Sequence, residues 1–256
     1  MVAGLAPVSC PRCRRLKTPR AALPVSDILG AFGVALSLIL HLDANLIRIV
    51  RLSLFVSTSA TALAGLIGVP LGAFLAVYPF RCRQAVIMVF NAMLGLPPVV
   101  IGLVVYLMFS RSGPIGFLGL LFTPGAMIVA QTILITPILT VLSQRALAEP
   151  WLAYGDALRI DGASRLRAVP ELLAMSGPGL LTAFLAGFGR AIAEVGAIII
   201  VGGNIDGVTR TMTTAIALET SRGDLPLALG LGIILIAIVL AVSAGAFLLT
   251  YRGAYR

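Results

Sequence analysis

"LSLFVSTSATALAGLIGVPLGAFLAVYPF", residues 52–80, holds no charged side chain over 29 positions. A helix needs about 20 residues to cross a hydrocarbon core about 30 Å thick. No water inside lipid satisfies backbone N–H and C=O groups, so such a run must bond to itself as a helix. Uncharged runs of similar length extend from Gln84 to Ser110, Ser112 to Gln144 and Leu225 to Tyr251. A fifth, Leu172 to Gly189, continues past Arg190 and Glu194 to Ile205. The chain is 59% hydrophobic and 11% charged, with a mean hydropathy of +1.05. These residues predict an all-α polytopic membrane protein with about five core transmembrane helices.

The formal net charge is +9, but the arginines are scattered in short loops between spans, which points to the bilayer rather than nucleic acid as partner. One set of loops carries eight of them: Arg81, Arg83, Arg145, Arg159, Arg165, Arg167, Arg252 and Arg256. The opposite loops carry Arg111, Arg210 and Arg222, with Arg48 and Arg51 at a span's entrance. The positive-inside rule makes the first set cytoplasmic. Cys10-x-x-Cys13, with Cys82 and the one histidine His41, falls short of the four ligands of a structural zinc site. No metal or other cofactor is expected in this chain. "CPRCRRLKTPR" (10–20) has five basic residues and reads, within a segment 1–26, as a disordered cytoplasmic tail.

Residues 27–45 begin with "DILGAFGVALSLILHL", a 16-residue apolar helix that either lies in the interface or crosses as a short extra span. The main transmembrane domain is placed at 46–252, with spans near 47–78, 84–109, 123–142, 179–201 and 225–249. Ser53, Ser57 and Thr61 repeat at i, i+4 and i+8, a spacing that suits helix packing through small hydroxyl residues. Pro97 and Pro98 must interrupt the second span, because proline lacks an N–H and clashes with the preceding turn. Irregular backbone survives at membrane depth only where protein or a water-lined cavity covers it. The break therefore serves packing or a solute path. In the fourth span, Arg190 and Glu194 at i, i+4 either neutralise each other on one helix, the preferred reading, or touch the solute as part of a path or gate. "GGNIDGVTRTMTTAIALETSRGD" (202–224) reads as an external loop.

Against this background "GDALRIDGASRLR" (155–167) stands out, with five charged residues in thirteen. Asp156, Ala157 and Leu158, three residues, then Gly162, Ala163 and Ser164 suit a short helix, a sharp turn at glycine and a second helix. This spacing resembles the EAA loop of ABC-importer membrane subunits, the coupling segment that docks onto the ATPase; here it falls within 145–175. Asp156 stands where the motif has Glu and Leu158 where it has its second Ala, and Ala174-Met175 replaces its closing Leu-Pro. "GLPPVVIGLVVYLMFSRSGPIGFLG" (95–119) and "GRAIAEVGAIIIVGGNIDGVTRTMTTAIALETSRGD" (189–224) resemble the molybdate/tungstate branch of type I ABC importer permeases, most closely the tungstate type. Molybdate subunits tend to have phenylalanine where Val195 stands and a proline-containing segment where "TMTTAIALE" stands.

The resemblance covers about residues 46–250 and implies a type I permease fold in a bacterial or archaeal cytoplasmic membrane. It further implies a homodimer, cytoplasmic ABC ATPase subunits and an extracytoplasmic oxyanion-binding protein. The residues agree on one point independently: a P-loop needs a lysine after glycine, and the only lysine is Lys17 in "RRLKTPR". The chain cannot hydrolyse ATP through a Walker A site and is not expected to be an enzyme. The rival reading is an ion-coupled secondary transporter, which places ionisable residues at mid-membrane; Arg190 and Glu194 alone qualify. An oxyanion path has two candidate places. One is the Pro97-Pro98 break. The other is the outer end of the fourth span, where Gly203, Asn204 and Thr209 gather N–H and hydroxyl donors. Both would form a weak passage rather than a tight site.

Overall fold

The computed structural model of the protein describes residue 33 and residues 44–254. The tail 1–26 and the helix expected over 27–42, Gly33 apart, lie outside the described residues. The described residues form helices joined by short turns: α1 (Ala44–Val77), α2 (Arg83–Met93), α3 (Pro98–Phe109), α4 (Pro124–Ile160), α5 (Arg165–Met175), α6 (Gly177–Ile192), α7 (Gly196–Gly202), α8 (Met212–Arg222) and α9 (Leu225–Ala254). Three are long and apolar enough to cross a membrane unbroken: α1, α4 and α9. Two bent pairs, α2–α3 at 96° and α5–α6 at 77°, raise the total to five.

The chemistry of the ends explains the boundaries. Tyr78 still donates its N–H to Phe74, but Pro79 follows and cannot continue the helix. Arg83 then folds back, its Nε donating to the Leu75 carbonyl at 2.7 Å, which satisfies one of the α1 C-terminal acceptors. Thr123 caps α4 by accepting from the Ala126 N–H at 3.4 Å, and Pro124 takes the first helical position.

The centre of the bundle is the parallel pair α1/α4, whose contacts advance together along both helices. Val56 packs with Met127, Ala60 and Ala64 with Ile135 and Leu139, and Ala73 to Val77 with Leu147. Glycines let the backbones touch: an added Cβ at Gly68 would lie 3.1 Å from the Thr136 carbonyl oxygen, and one at Gly72 2.7 Å from that of Thr140. In lipid, where apolar burial does not drive helices together, such close backbone approach is what holds them. Polar residues on these helices bond inward. Thr132, Thr136 and Thr140 each donate to the carbonyl four residues earlier. Ser53, Ser57 and Thr61 are buried, and Ser53 Oγ accepts from the Met212 N–H at 2.8 Å, fastening α8 to α1.

Two boundaries differ from the sequence reading. Helix α4 does not stop near residue 142 but runs 37 residues, through Pro137 and Pro150, to Ile160. The end of the apolar zone at Arg145 is a solvent boundary, and nothing in "RALAEPWLAYGDALRI" breaks the helix until Gly162. The segment 202–224 is not a simple external loop: it turns back into the bundle, where Met212, Thr213, Thr214 and Ala215 are buried at the start of α8. Its threonines look loop-like in sequence, but their hydroxyls are satisfied within the fold, so the protein can bury them.

Candidate functional site

The segment with the expected coupling spacing is built on the last turns of α4. The Gly162 N–H donates to the Arg159 carbonyl at 3.1 Å and the Ala163 N–H to that of Leu158 at 3.0 Å, the paired bonds of a Schellman cap. That cap requires the left-handed backbone Gly162 adopts, φ +81°. Ser164 then caps α5, its Oγ accepting from the Arg167 N–H at 3.4 Å. Leu158 packs inward against the Ala73–Leu147–Leu172 cluster. Asp156 points out, its side chain 96% exposed and 3.6 Å from Arg159, a pairing that adds little at such exposure. Around the turn Leu152, Ile160 and Leu166 are 86%, 85% and 70% exposed. Bulky apolar side chains at the tip of a charged hairpin suit burial against a partner. The sequence reading missed these three; their signal was an apolar residue wherever the charged segment turned outward.

Deeper in the bundle, the break expected at Pro97-Pro98 meets a second one, at 193–195, that the sequence reading did not expect. Leu94, Gly95, Leu96 and Pro97 separate α2 from α3, and Pro98 begins α3. Ala193, Glu194 and Val195 separate α6 from α7. The two gaps abut at glycines: a Cβ on Gly196 would lie 2.9 Å from Val99 Cγ2, and one on Gly102 2.7 Å from Ala197 Cα.

The second break is pinned from every side. Arg190 Nη1 donates to Glu194 Oε2 at 2.5 Å, and Glu194 Oε1 accepts from the Ala197 N–H at 3.1 Å, capping α7. Gln131 Nε2, from α4, donates to the Ala191 carbonyl at 2.9 Å. Thr213 Oγ1 donates to the Glu194 carbonyl at 2.9 Å. The ion pair thus spans the end of α6 rather than lying along one helix. Glu194 is buried while the Arg190 side chain stays 37% exposed. A half-exposed guanidinium within a spanning segment has to face a wet cavity or another protein surface, since facing lipid is costly.

Gly203, Asn204 and Thr209 lie apart from this junction, at the other end of α7. Gly203 ends α7 at φ +71° beside the Phe122 ring. Asn204 also has a positive φ, +51°, and its Nδ2 donates to the Thr214 carbonyl at 3.3 Å. Thr209 is fully buried, its hydroxyl donating to Gly202 at 2.6 Å and accepting from the Ile205 N–H at 2.9 Å. Its hydrogen bonds are spent on holding the loop.

Residues 68–252 match the family described as "Binding-protein-dependent transport system inner membrane component". The chain belongs to that family. This permease is 38% identical over 217 residues to the tungstate uptake system permease protein TupB of Peptoclostridium acidaminophilum, covering 85% of this chain and 95% of that one. It is 42% identical over 204 residues to a probable anion ABC transporter permease protein of Haloferax volcanii, covering 78% and 88%. Its fold is similar to a chain of the MetNI methionine ABC transporter in an inward-facing conformation, with a TM-score of 0.68 at 19% identity over 81% of this chain and 95% of that one. The permease is therefore a multi-pass membrane component of an ABC importer, and the ion-coupled alternative has no support.

Proposed function

We propose that this permease carries a tetrahedral oxyanion, tungstate first and molybdate next, from an extracytoplasmic binding protein into the cytoplasm. Two copies form the conduit, ATP is hydrolysed by separate cytoplasmic subunits, and the chain needs no cofactor of its own. The observation that carries the coupling role is the Gly162 turn with its bare apolar rim of Leu152, Ile160 and Leu166. A fixed hairpin of this kind fits a groove on a soluble partner, with Asp156 and Arg159 orienting the approach. The substrate class is supported by the names of the relatives. Co-expression with a tagged ABC ATPase of the same system tests the coupling role. The two are expected to co-purify, and a Leu152→Ser/Ile160→Ser/Leu166→Ser variant to lose the ATPase while staying in the membrane.

Topology follows from the same reading. In a chain freed of its native cysteines, Asp206→Cys is expected to react with a membrane-impermeant maleimide applied from outside, and Arg165→Cys to be protected. The reverse pattern would invert the orientation.

The conduit runs past the junction of the two breaks, where Pro97, Pro98, Arg190 and Glu194 gather, with Gly203, Asn204 and Thr209 shaping its outer end. A doubly charged ion cannot cross bare hydrocarbon, whereas interrupted helices offer free backbone groups at membrane depth. The Pro97→Ala/Pro98→Ala variant is expected to close the break and cut uptake about tenfold or more, while ATPase docking persists. Parental uptake in that variant would place the path elsewhere.

A further inference from the structure

The end of the bundle that carries the coupling turn also holds an open cleft of about 350 Å³. Its lining comes from the end of α1, the last four turns of α4 and the start of α5. Tyr78 and Trp151 supply aromatic surface, while Arg83, Arg159 and Arg165 supply three cations. Asp156 is the one acid among the lining residues, so the cleft carries an excess of positive charge. Two of the guanidiniums are held in place. Arg83 bonds to the α1 carbonyls, and Arg165 lies over the Tyr78 ring, 6.0 Å from its centroid. Arg159 has only its exposed pair with Asp156 at 3.6 Å.

Topological sorting explains Arg83, beside the end of the α1 span, but not Arg159. Arg159 stands fourteen residues beyond Arg145 on the continuous helix α4, about 21 Å farther along the axis. The headgroup layer is only about 5–7 Å deep on each side. Lipid headgroups therefore do not reach Arg159, at the outer end of the cleft.

We propose that the cleft binds a tetrahedral dianion from the cytoplasm, either the free oxyanion or the phosphate of a small monoester. Guanidinium groups bind such oxygens through paired, charge-assisted hydrogen bonds. The three arginines sit at the α1–α2 corner, on α4 and on α5, so one bound dianion links the rigid α1/α4 pair to the segment beyond the coupling turn. The site rests on the importer reading for which side of the membrane it faces, and it shares Leu152, Asp156 and Arg159 with the docking face proposed above, so a bound ATPase competes for it.

Trp151 is the chain's one tryptophan, so its emission reports on the cleft directly. The full-length chain in neutral detergent is titrated with sodium tungstate, sodium phosphate and AMP, each against sodium chloride at matched ionic strength. A saturable change in emission is expected with at least one of them. Tungstate binding most tightly identifies the free oxyanion, and AMP binding most tightly identifies a monoester. Arg159→Gln/Arg165→Gln, which leaves the Arg83 cap intact, is expected to raise the dissociation constant about tenfold or more. No saturable change, an equal response in the double variant, or a response confined to phosphatidylglycerol vesicles would overturn the site. Reversed cysteine labelling would instead refute the orientation while leaving the titration unaffected.

Discussion

Gly72→Leu is expected to leave little folded protein in the membrane. A Cβ at this position would lie 2.7 Å from the Thr140 carbonyl oxygen, 2.8 Å from Ser143 Cβ and 2.9 Å from the Gln144 N. Two of those atoms are backbone in the middle of α4, so no flexible side chain can swing away. Relief requires α1 and α4 to separate along the central contact of the bundle. Overpacking a core costs about 1–3 kcal/mol where side chains can adjust, and the cost here lies at or above the top of that range. Gly232→Ala is the matched control: an added Cβ there meets nothing within 4 Å, and alanine favours a helix interior over glycine. Thermal unfolding in detergent, followed by loss of the monodisperse species, should show a large drop for the first and none for the second. Equal stability would mean the α1/α4 crossing does not hold the fold.

Gly162→Val is expected to abolish uptake while leaving the bundle intact. Nothing lies within 4 Å of the missing Cβ, so the substitution meets no obstacle in space. The penalty is conformational: φ +81° suits glycine and is strained for a β-branched residue by about 1–2 kcal/mol. Relief comes by rebuilding the turn, which discards the bonds to Arg159 and Leu158 and re-aims α5 relative to α4. Because the turn lies outside the packed core, stability should fall little. ATP-driven uptake should fall to background, because the docking tip loses its shape. Gly162→Asn separates this cause from mere substitution, since asparagine tolerates the left-handed region, and it should retain most of the uptake. Asp156→Ala, which removes only a solvated charge, should have a mild effect of about 1 kcal/mol or less on docking.

The spans were legible because uncharged length is a demand of the bilayer itself, and the Pro97-Pro98 break because proline cannot complete the helical ladder. The glycine turn was legible too, since only the spacing around Gly162 mattered. The break at 193–195 was not. It contains no proline, and it is held by Gln131 from α4 and Thr213 from α8, contacts between residues far apart in the chain. Arg190 and Glu194 showed that something polar happened there, but their i, i+4 spacing suggested an unbroken helix. The end of α4 was misplaced because charges mark the membrane surface, whereas a helix ends only where its backbone must. The threonines of 202–224 suggested solvent, and only the fold shows their hydroxyls paired with Gly202, Glu194 and one another.

The most direct measurement is uptake of radiolabelled tungstate into proteoliposomes that contain this permease and the ABC ATPase, with the binding protein supplied outside. Uptake is expected only with ATP in the lumen and with the binding protein present, and it should be unaffected by an uncoupler of ion gradients. Uptake that persists without ATP or the ATPase and collapses with the uncoupler would contradict an ATP-driven permease and restore the ion-coupled reading.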